Sequence, residues 1–447
     1  MGRRFEPSGP LRGSLRPPAD KSISHRAALI AAMGEGGTTI AGYLDAADTR
    51  STLNAVKALG AEVGSAVSTA TRSVGGDPAS AETAAGSWPA LSVRGVGLRG
   101  ARPAAIDVGN AGTLLRLLPG WLAGQRTGEW TLDGDDSIRR RPVDRIVEPL
   151  RLMGGSLSCR EDRLPPLSVE AAPLHGISYE LPVASAQVKS CLLFAGLLAD
   201  GETRVIEPLP TRDHSERMLA AAGADIGRDG DAVVVQPAER LEIDRLVVPA
   251  DFSSAAFFLV AALLVEGSEV ELRGVGLNPT RTGLLAILER MGARIEATVD
   301  GEEGGEPIGT VVARSSELRA TEVGGAEVPL AIDELPLAAL AACFAEGATT
   351  IRDAAELRRK ESDRIETGAA ALRALGAEVE TFADGMRIEG AGGLRGGAID
   401  SDGDHRIAML GAIAGLASRD GVEVAGMDAA AVSYPGFEAD LASVLTA

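Results

Sequence analysis

One pattern of apolar and polar positions recurs six times: a polar or small start, an apolar helical run, a Gly-containing turn, and a short Thr/Val/Ile strand. The copies read SISHRAALIAAMGEGGTTIAGY from Ser22, AGTLLRLLPGWLAGQRTGEWTLDG from Ala111 and AQVKSCLLFAGLLADGETRVIEP from Ala186. They continue with SSAAFFLVAALLVEGSEVELRGV from Ser253, LPLAALAACFAEGATTIRDA from Leu335 and HRIAMLGAIAGLASRDGVEVAGM from His405. Starts about 70 to 90 residues apart are too widely spaced for a solenoid, so each copy is a small subdomain. Five copies lead into a second, amphipathic helix closed by a Gly and followed by a strand. Gly60, Gly154, Gly223, Gly292 and Gly376 stand where a helix C-cap takes a left-handed residue. The sixth copy keeps that helix (FEADLASVL), but the chain ends before its strand. The pattern predicts an α/β protein of six βαβαββ-like units. The Ser/Ala/Gly-rich insert from Ser65 reads as a mobile loop, and DGEEGGEPIG from Asp300 as an acidic turn joining strands.

Length adds that 447 residues exceed what one core usually organises, which predicts two domains. Aromatics are only 3%, so the cores must rest on Ala, Leu, Val and Ile, and the 55 glycines predict close helix packing. A net charge of −19 argues against nucleic acid or an anionic membrane as the main ligand. It leaves room for a small anion held where basic residues gather in one cleft. Cys159, Cys191 and Cys343 show no metal or redox spacing and read as reduced thiols, two of them in buried apolar runs. MGRRFEPSG is followed by no apolar stretch, and runs such as 255–265 are too short to span a bilayer, so the expectation is a soluble, cytoplasmic protein.

The polar residues that such helices do not need cluster at their starts. Lys21, Ser22, Ser24, His25 and Arg26 open the first; Asn110, Gly112, Thr113 and Arg116 the second; Ser185, Gln187 and Lys189 the third. Asp333 and Glu334 precede the fifth, and His405 and Arg406 begin the sixth. Hydroxyl residues there serve as N-caps, the reading taken for Ser253 and Ser254. Caps do not call for Lys, Arg and Gln as well. Helix N-termini favour anions, so six such ends facing one cleft would bind a multiply anionic small molecule. In ELRRKESDRIETG from Glu356, Glu361 and Arg364 share a helix face, while RRRPVDR from Arg139 reads as surface charge ahead of a helix. His25, His175, His214 and His405 lack ligand spacing, so no metal is expected. DKS at Asp20 lacks the Gly-rich approach of a P-loop, and no G-x-S-x-G elbow occurs.

Ten motifs resemble, in order, those of the 5-enolpyruvylshikimate-3-phosphate synthase family. They are DKSISHRA from Asp20, GNAGTLLR from Gly109, RP at Arg141, SAQVKS from Ser185 and TRDHSERM from Thr211. DFSSAAFF from Asp251, DELP from Asp333, KESDR from Lys360, DHRIAM from Asp404 and SYPGF from Ser433 complete the series. The resemblance implies an enolpyruvyl transferase-like inside-out α/β barrel: two similar domains of three units, residues 20–248 and residues 1–19 with 249–447, joined by a double-strand hinge around a ligand cleft. It implies a monomer that needs no cofactor and joins phosphoenolpyruvate to shikimate 3-phosphate. In that scheme Lys21, Asp333 and Glu361 are catalytic. Lys21, Gly112, Thr113, Arg141, Arg364 and Arg406 surround phosphoenolpyruvate, and Gln187 bridges both substrates. Ser22, Arg26, Ser185 and Arg212 are placed for shikimate 3-phosphate, Asp333 orients its 5-hydroxyl, and Ala186 and Lys360 are further substrate-binding residues. Arg139 and Arg140 precede the same Pro142, which leaves open which of the three arginines reaches the ligand. An unsubstituted Gly112 implies that glyphosate, the family's inhibitor, binds.

The chain departs from the pattern at Ala19 and Ala250, where Gly is frequent, at Leu117, where Pro is common, and at Val432, where one branch has Lys. The sister transferases that act on a UDP-amino sugar carry a reactive Cys in a loop for which residues 112–157 offer none. Relatives among RNA cyclases need a basic face that the charge disfavours. A non-catalytic anion-binding module would have no use for Lys21, Asp333 and Glu361 together.

Overall fold

Helices apolar on every side must be surrounded by protein. The six apolar runs form Lys21–Met33, Gly112–Ala123, Ala186–Gly196, Phe252–Leu264, Leu335–Phe344 and His405–Ala417, each starting within one residue of the repeat. In Phe252–Leu264 every side chain but the last is buried. Three such helices centre each of two hydrophobic cores. One core runs from Ile23 to Val248; the other joins Phe5, Leu11 and Leu15 to residues from Phe252 to Val444. These observations come from a computed structural model that describes residues 2–65 and 90–445. Beyond Ser65, the insert expected to be a mobile loop lies outside the described residues.

Among the described residues six sheets wrap the inner helices, one per unit. In the second unit Ala104–Asp107 runs parallel to Glu129–Asp133, which pairs antiparallel with Leu164–Glu170, which in turn pairs antiparallel with Ser156–Arg160. Five sheets have these four strands. The sixth has three, and among the described residues no strand follows its second helix, as expected. Arg3–Phe5, from the other end of the chain, pairs antiparallel with Val422–Ala425 and takes a missing strand's place. The five capping glycines all adopt positive φ, from 85° at Gly223 to 105° at Gly60, which a Cβ would strain. The acidic turn is a two-residue hairpin, Gly304–Gly305, with both φ positive. Cys191 and Cys343 are buried in their helices, and Cys159 is half-buried.

The chain passes between the two cores twice, and the passes pair with each other. Ala19 lies opposite Ala250 in an antiparallel bridge. Asp20 donates its backbone N–H to Pro249, and Asp251 donates its own to Pro18, each at 2.8 Å. The two departures from glycine therefore face one another. Neither has positive φ, so alanine fits without strain. Immediately after each pass, Asp20 and Asp251 cap the helices Lys21–Met33 and Phe252–Leu264, accepting from Ile23 N and Ser253 N. Asp251, not Ser253 or Ser254, is thus the cap of the fourth inner helix. Both serines lie inside the first turn, and their hydroxyls are used elsewhere.

Close helix contact rests on glycine at Gly120, where a Cβ would run into the Cys191 carbonyl of the neighbouring inner helix. Gly120→Val is expected to destabilise by about 1–3 kcal/mol, as overpacking does, lowering the urea midpoint. An unchanged midpoint would show that these helices do not meet there.

Candidate active site

A cavity of about 680 Å³ lies between the two cores. Every one of the six inner helices sends residues of its start into the wall: Lys21 and Ser22, Thr113 and Arg116, Ser185 to Gln187, Asp251, Asp333, and His405 with Arg406. The reason is local. Only the first turn of an all-apolar helix can carry charge without burying it in the core, and an aspartate cap frees the side chains that follow. Asp404 caps the sixth helix through Arg406 N at 2.9 Å, and Ser185 caps the third through Val188 N at 3.4 Å. Eleven Lys and Arg residues line the cavity against five Asp and Glu. An acidic protein therefore encloses a strongly cationic cleft.

Carboxylates tie six of these cations, Arg141, Arg212, Arg281, Lys360, Arg364 and Arg406, into one network. Asp333 Oδ1 lies 3.1 Å from Lys360 Nζ and 3.2 Å from Arg364 Nη1, while Oδ2 pairs with Arg212 and lies 3.9 Å from Arg406. Arg364, almost wholly buried, also binds Glu361 at 2.6 Å and Asp404 at 2.8 Å. Arg141 approaches Glu361 to 3.8 Å from the opposite wall. Arg406 donates to the Asp333 carbonyl at 3.0 Å and to Ser253 Oγ at 2.9 Å. Lys21 Nζ meets Asp48 at 3.0 Å. Burial pushes the Asp333 carboxyl up, but Lys360, Arg212, Arg406 and Arg364 together bring it well below the usual range. Glu361 is likewise raised by burial and brought well below it by Arg364, with Arg141 and Lys21. Burial alone would lower Lys21, yet Asp48 and Glu361 raise it overall, so it stays charged. Burial beside Lys21 drives His405 down to about 3, leaving it neutral.

Most residues singled out from the sequence meet here. Gln187 donates to Thr113 Oγ1 at 3.1 Å and accepts from Arg116 at 3.3 Å. Of the three arginines before Pro142, Arg141 lines the cavity, whereas Arg139 is exposed and bonded to Asp133. Gly112 lies just beneath the wall: a Cβ on it would sit 2.8 Å from Arg141 Nη1 and 3.0 Å from Arg116 Nη1. Arg26 is not on the wall. It is buried, with its guanidinium spent on the Ser22 carbonyl, Ser190 and Ser215. Ser24, His25 and Lys189 also turn inward, Lys189 to Glu207 at 2.9 Å and Glu216 at 2.6 Å. Glu361 and Arg364 do pair, but Glu361 lies in the turn before the helix Arg364–Ala374 rather than on its face. Their run is not a solvated helix start, since Arg364 is 1% exposed.

Several wall residues were not assigned from the sequence. Arg145, within the run read as surface charge, reaches across to Glu356 at 3.4 Å. Arg281 had no signal beyond an arginine in a polar loop; it is buried against Glu334 at 2.9 Å. Ser253, expected to cap, donates to Glu334 and accepts from Arg281 and Arg406. The SYPGF segment contributes to the core instead: Tyr434 packs with Phe258 and Phe437 and donates to Asp440 at 2.7 Å. Among the described residues no group of His, Cys, Asp or Glu is arranged to hold a metal ion, and no helix is long and apolar enough to cross a membrane.

Comparison with known proteins agrees with this geometry. The model of the family described as EPSP synthase (3-phosphoshikimate 1-carboxyvinyltransferase) matches residues 5–441. A 3-phosphoshikimate 1-carboxyvinyltransferase of Geobacter sulfurreducens is 47% identical over 441 residues, covering 98% of each chain. One from Thermus thermophilus is 50% identical over 440 residues, covering 98% of this chain and 97% of its own. The solved structure of EPSP synthase from Acinetobacter baumannii superposes with a TM-score of 0.84 at 39% identity, covering 99% of this chain and 97% of that one. The enolpyruvyl transferase NikO from Streptomyces tendae superposes at 0.75 with 18% identity, covering 99% of this chain and 96% of its own, a likeness of fold alone.

The Asp333 network has a consequence for acid stability. Its folded carboxyl titrates below the unfolded one, near about 4. The stability it contributes is therefore complete above about pH 4 and is lost as pH falls through the lower folded value. Asp333→Asn removes that dependence. Urea midpoints of wild type are expected to drop more steeply below about pH 4 than those of the variant; equal slopes would contradict the network.

Proposed function

The chain belongs to the EPSP synthase family, and on that premise we propose that its cleft transfers the enolpyruvyl group of phosphoenolpyruvate to the 5-hydroxyl of shikimate 3-phosphate, releasing phosphate. The observation that carries the reading to individual residues is the meeting of Lys21, Arg141, Asp333, Glu361 and Arg406 on the walls of one cavity. Phosphoenolpyruvate presents a carboxylate and a phosphate, and guanidinium forks match both. Arg141, Arg364 and Arg406 hold these groups with Lys21, above the floor left open by Gly112 and beside Thr113. Ser22, Ser185, Ala186, Gln187, Arg212 and Lys360 serve shikimate 3-phosphate. Arg26 contributes by fixing Ser22 through its carbonyl.

The chemistry is addition followed by elimination. A proton goes to the methylene carbon, leaving C2 electron-poor. The 5-oxygen bonds to C2 while Asp333 takes its proton, which gives a tetrahedral intermediate. A proton then leaves the new methyl group, the double bond re-forms, and the C2–O bond to phosphate breaks. Glu361 handles the carbon-bound proton, with Lys21 sharing in the transfer; the cationic wall stabilises the anions throughout. The two bodies, residues 20–248 and residues 1–19 with 249–447, close over the substrates about the Ala19–Ala250 crossing, as a monomer whose single chain supplies both walls.

Phosphate release with both substrates tests the reading, and turnover with shikimate 3-phosphate but not with a UDP-amino sugar is the expected result. Glu361→Gln is expected to depress kcat by about 10²-fold or more, with shikimate 3-phosphate binding retained; equal turnover would remove Glu361 from proton transfer. Gly112→Ala pushes a methyl against Arg141 and Arg116. Its KM for phosphoenolpyruvate is expected to rise about tenfold, or about 1.4 kcal/mol, with acceptor affinity unchanged. An unaltered KM would place phosphoenolpyruvate elsewhere.

A further inference from the structure

Asp333 has to accept a proton, yet both of its oxygens are held by cations. Those cations fall into two kinds. Arg364 also binds Glu361 and Asp404, and Arg406 also binds Ser253 and the Asp333 carbonyl, so both are anchored whatever Asp333 does. Arg212 and Lys360 are different. Among the described residues, neither side chain has a hydrogen-bond or ion-pair partner other than Asp333. They come from opposite walls, and both line the cavity. Each can therefore leave Asp333 without breaking another bond.

We propose that Arg212 and Lys360 are an exchangeable clamp: the acceptor's phosphate draws both off Asp333 and thereby turns that carboxylate from a salt-bridge partner into a working base. The proposal rests on the reading above and deepens it. A phosphate ester carries close to two negative charges at neutral pH and offers three oxygens, so it outbids a single carboxylate for the same donors. Removing two cations from Asp333, and leaving the phosphate's charge nearby, raises its affinity for a proton. No bond is made or broken in the exchange; only ion pairs change partner. The chemical consequence is that a hydroxyl acceptor without phosphate can occupy the cleft but meets a quenched base. Phosphate recognition and base activation are one event.

The test uses the full-length protein with two acceptors, shikimate 3-phosphate and shikimate. Wild-type turnover with shikimate 3-phosphate checks the underlying reading; its absence would sink that reading and the clamp together. Given that turnover, Arg212→Gln is expected to lower kcat/KM for shikimate 3-phosphate, having lost a phosphate donor. With shikimate, the same variant is expected to raise kcat at least about threefold over wild type and to move the acid limb of the profile to higher pH, because Asp333 is partly released. Lys360→Met is a second route to the same two changes should Arg212→Gln fold poorly by thermal melt. A shikimate kcat and acid limb unchanged in both variants would overturn the clamp while leaving the proposed function intact. Phosphite added with shikimate supplies an independent readout: it is expected to accelerate wild type and to lose that effect in Arg212→Gln. Acceleration of equal size in both would also overturn the clamp.

Discussion

The structure depends on neutralising a crowd of buried cations. Eleven basic side chains line one cleft, several of them with little access to water. Unpaired, each would carry a desolvation cost of several kcal/mol, and removing one partner of a buried pair commonly costs about 3–5 kcal/mol. The protein meets that cost with carboxylates set between the cations rather than beside single partners: Asp333 serves four basic groups, and Arg364 serves three acidic ones. The same residues are the ones a pair of anionic substrates would need. On the proposed function, binding and folding draw on one set of charges, and the carboxylates that stabilise the cleft are those that would move protons in it.

The fold explains why those charges converge. An inner helix apolar all round can be polar only at its ends, and a βαβαββ unit aims the starts of its inner helices the same way. Two trios of units brought face to face at the Ala19–Ala250 crossing put six starts around one space. Aspartates at the first turn suit the helix dipole and satisfy its N–H groups. At Asp20, Asp251 and Asp404 the cap is therefore acidic, and after Asp20 and Asp404 the cations Lys21 and Arg406 line the cleft.

Much of this was legible in the residues because the unit repeats. Six apolar runs fixed the helix starts to within a residue, and the Gly caps of five amphipathic helices could be read directly from left-handed demand. What pattern reading missed was tertiary. Arg3–Phe5 adds a strand to a sheet begun some 390 residues later, which no local signal records. Arg145 and Arg281 resemble surface charge until the other wall is present. Ser253 satisfies every local rule for a cap, but a stronger one stands two residues earlier, which frees its hydroxyl to tie Glu334, Arg281 and Arg406 together. Arg26 fails in the opposite sense: its motif places it with the site, while a chain of serine hydroxyls holds it just behind.

Contacts between the two bodies are of two chemical kinds, and this orders their motion. Near the crossing they are buried or half-buried hydrogen bonds: His214 with Glu306 at 2.7 Å, Asn278 with Asp213 at 2.7 Å, Arg217 with the Gly305 carbonyl at 2.6 Å. Across the cleft they are ion pairs on the cavity wall, Arg212 with Asp333, Arg141 with Glu361 and Arg145 with Glu356. Water and competing anions weaken the second kind far more than the first. On the proposed function, opening of the two bodies then begins at the cleft and pivots about the 213/278/306 contacts. An incoming phosphate that takes Arg212 from Asp333 while holding Lys360 on the facing wall replaces one cross-cleft link with another, so the closed arrangement survives the very exchange that readies Asp333 for chemistry.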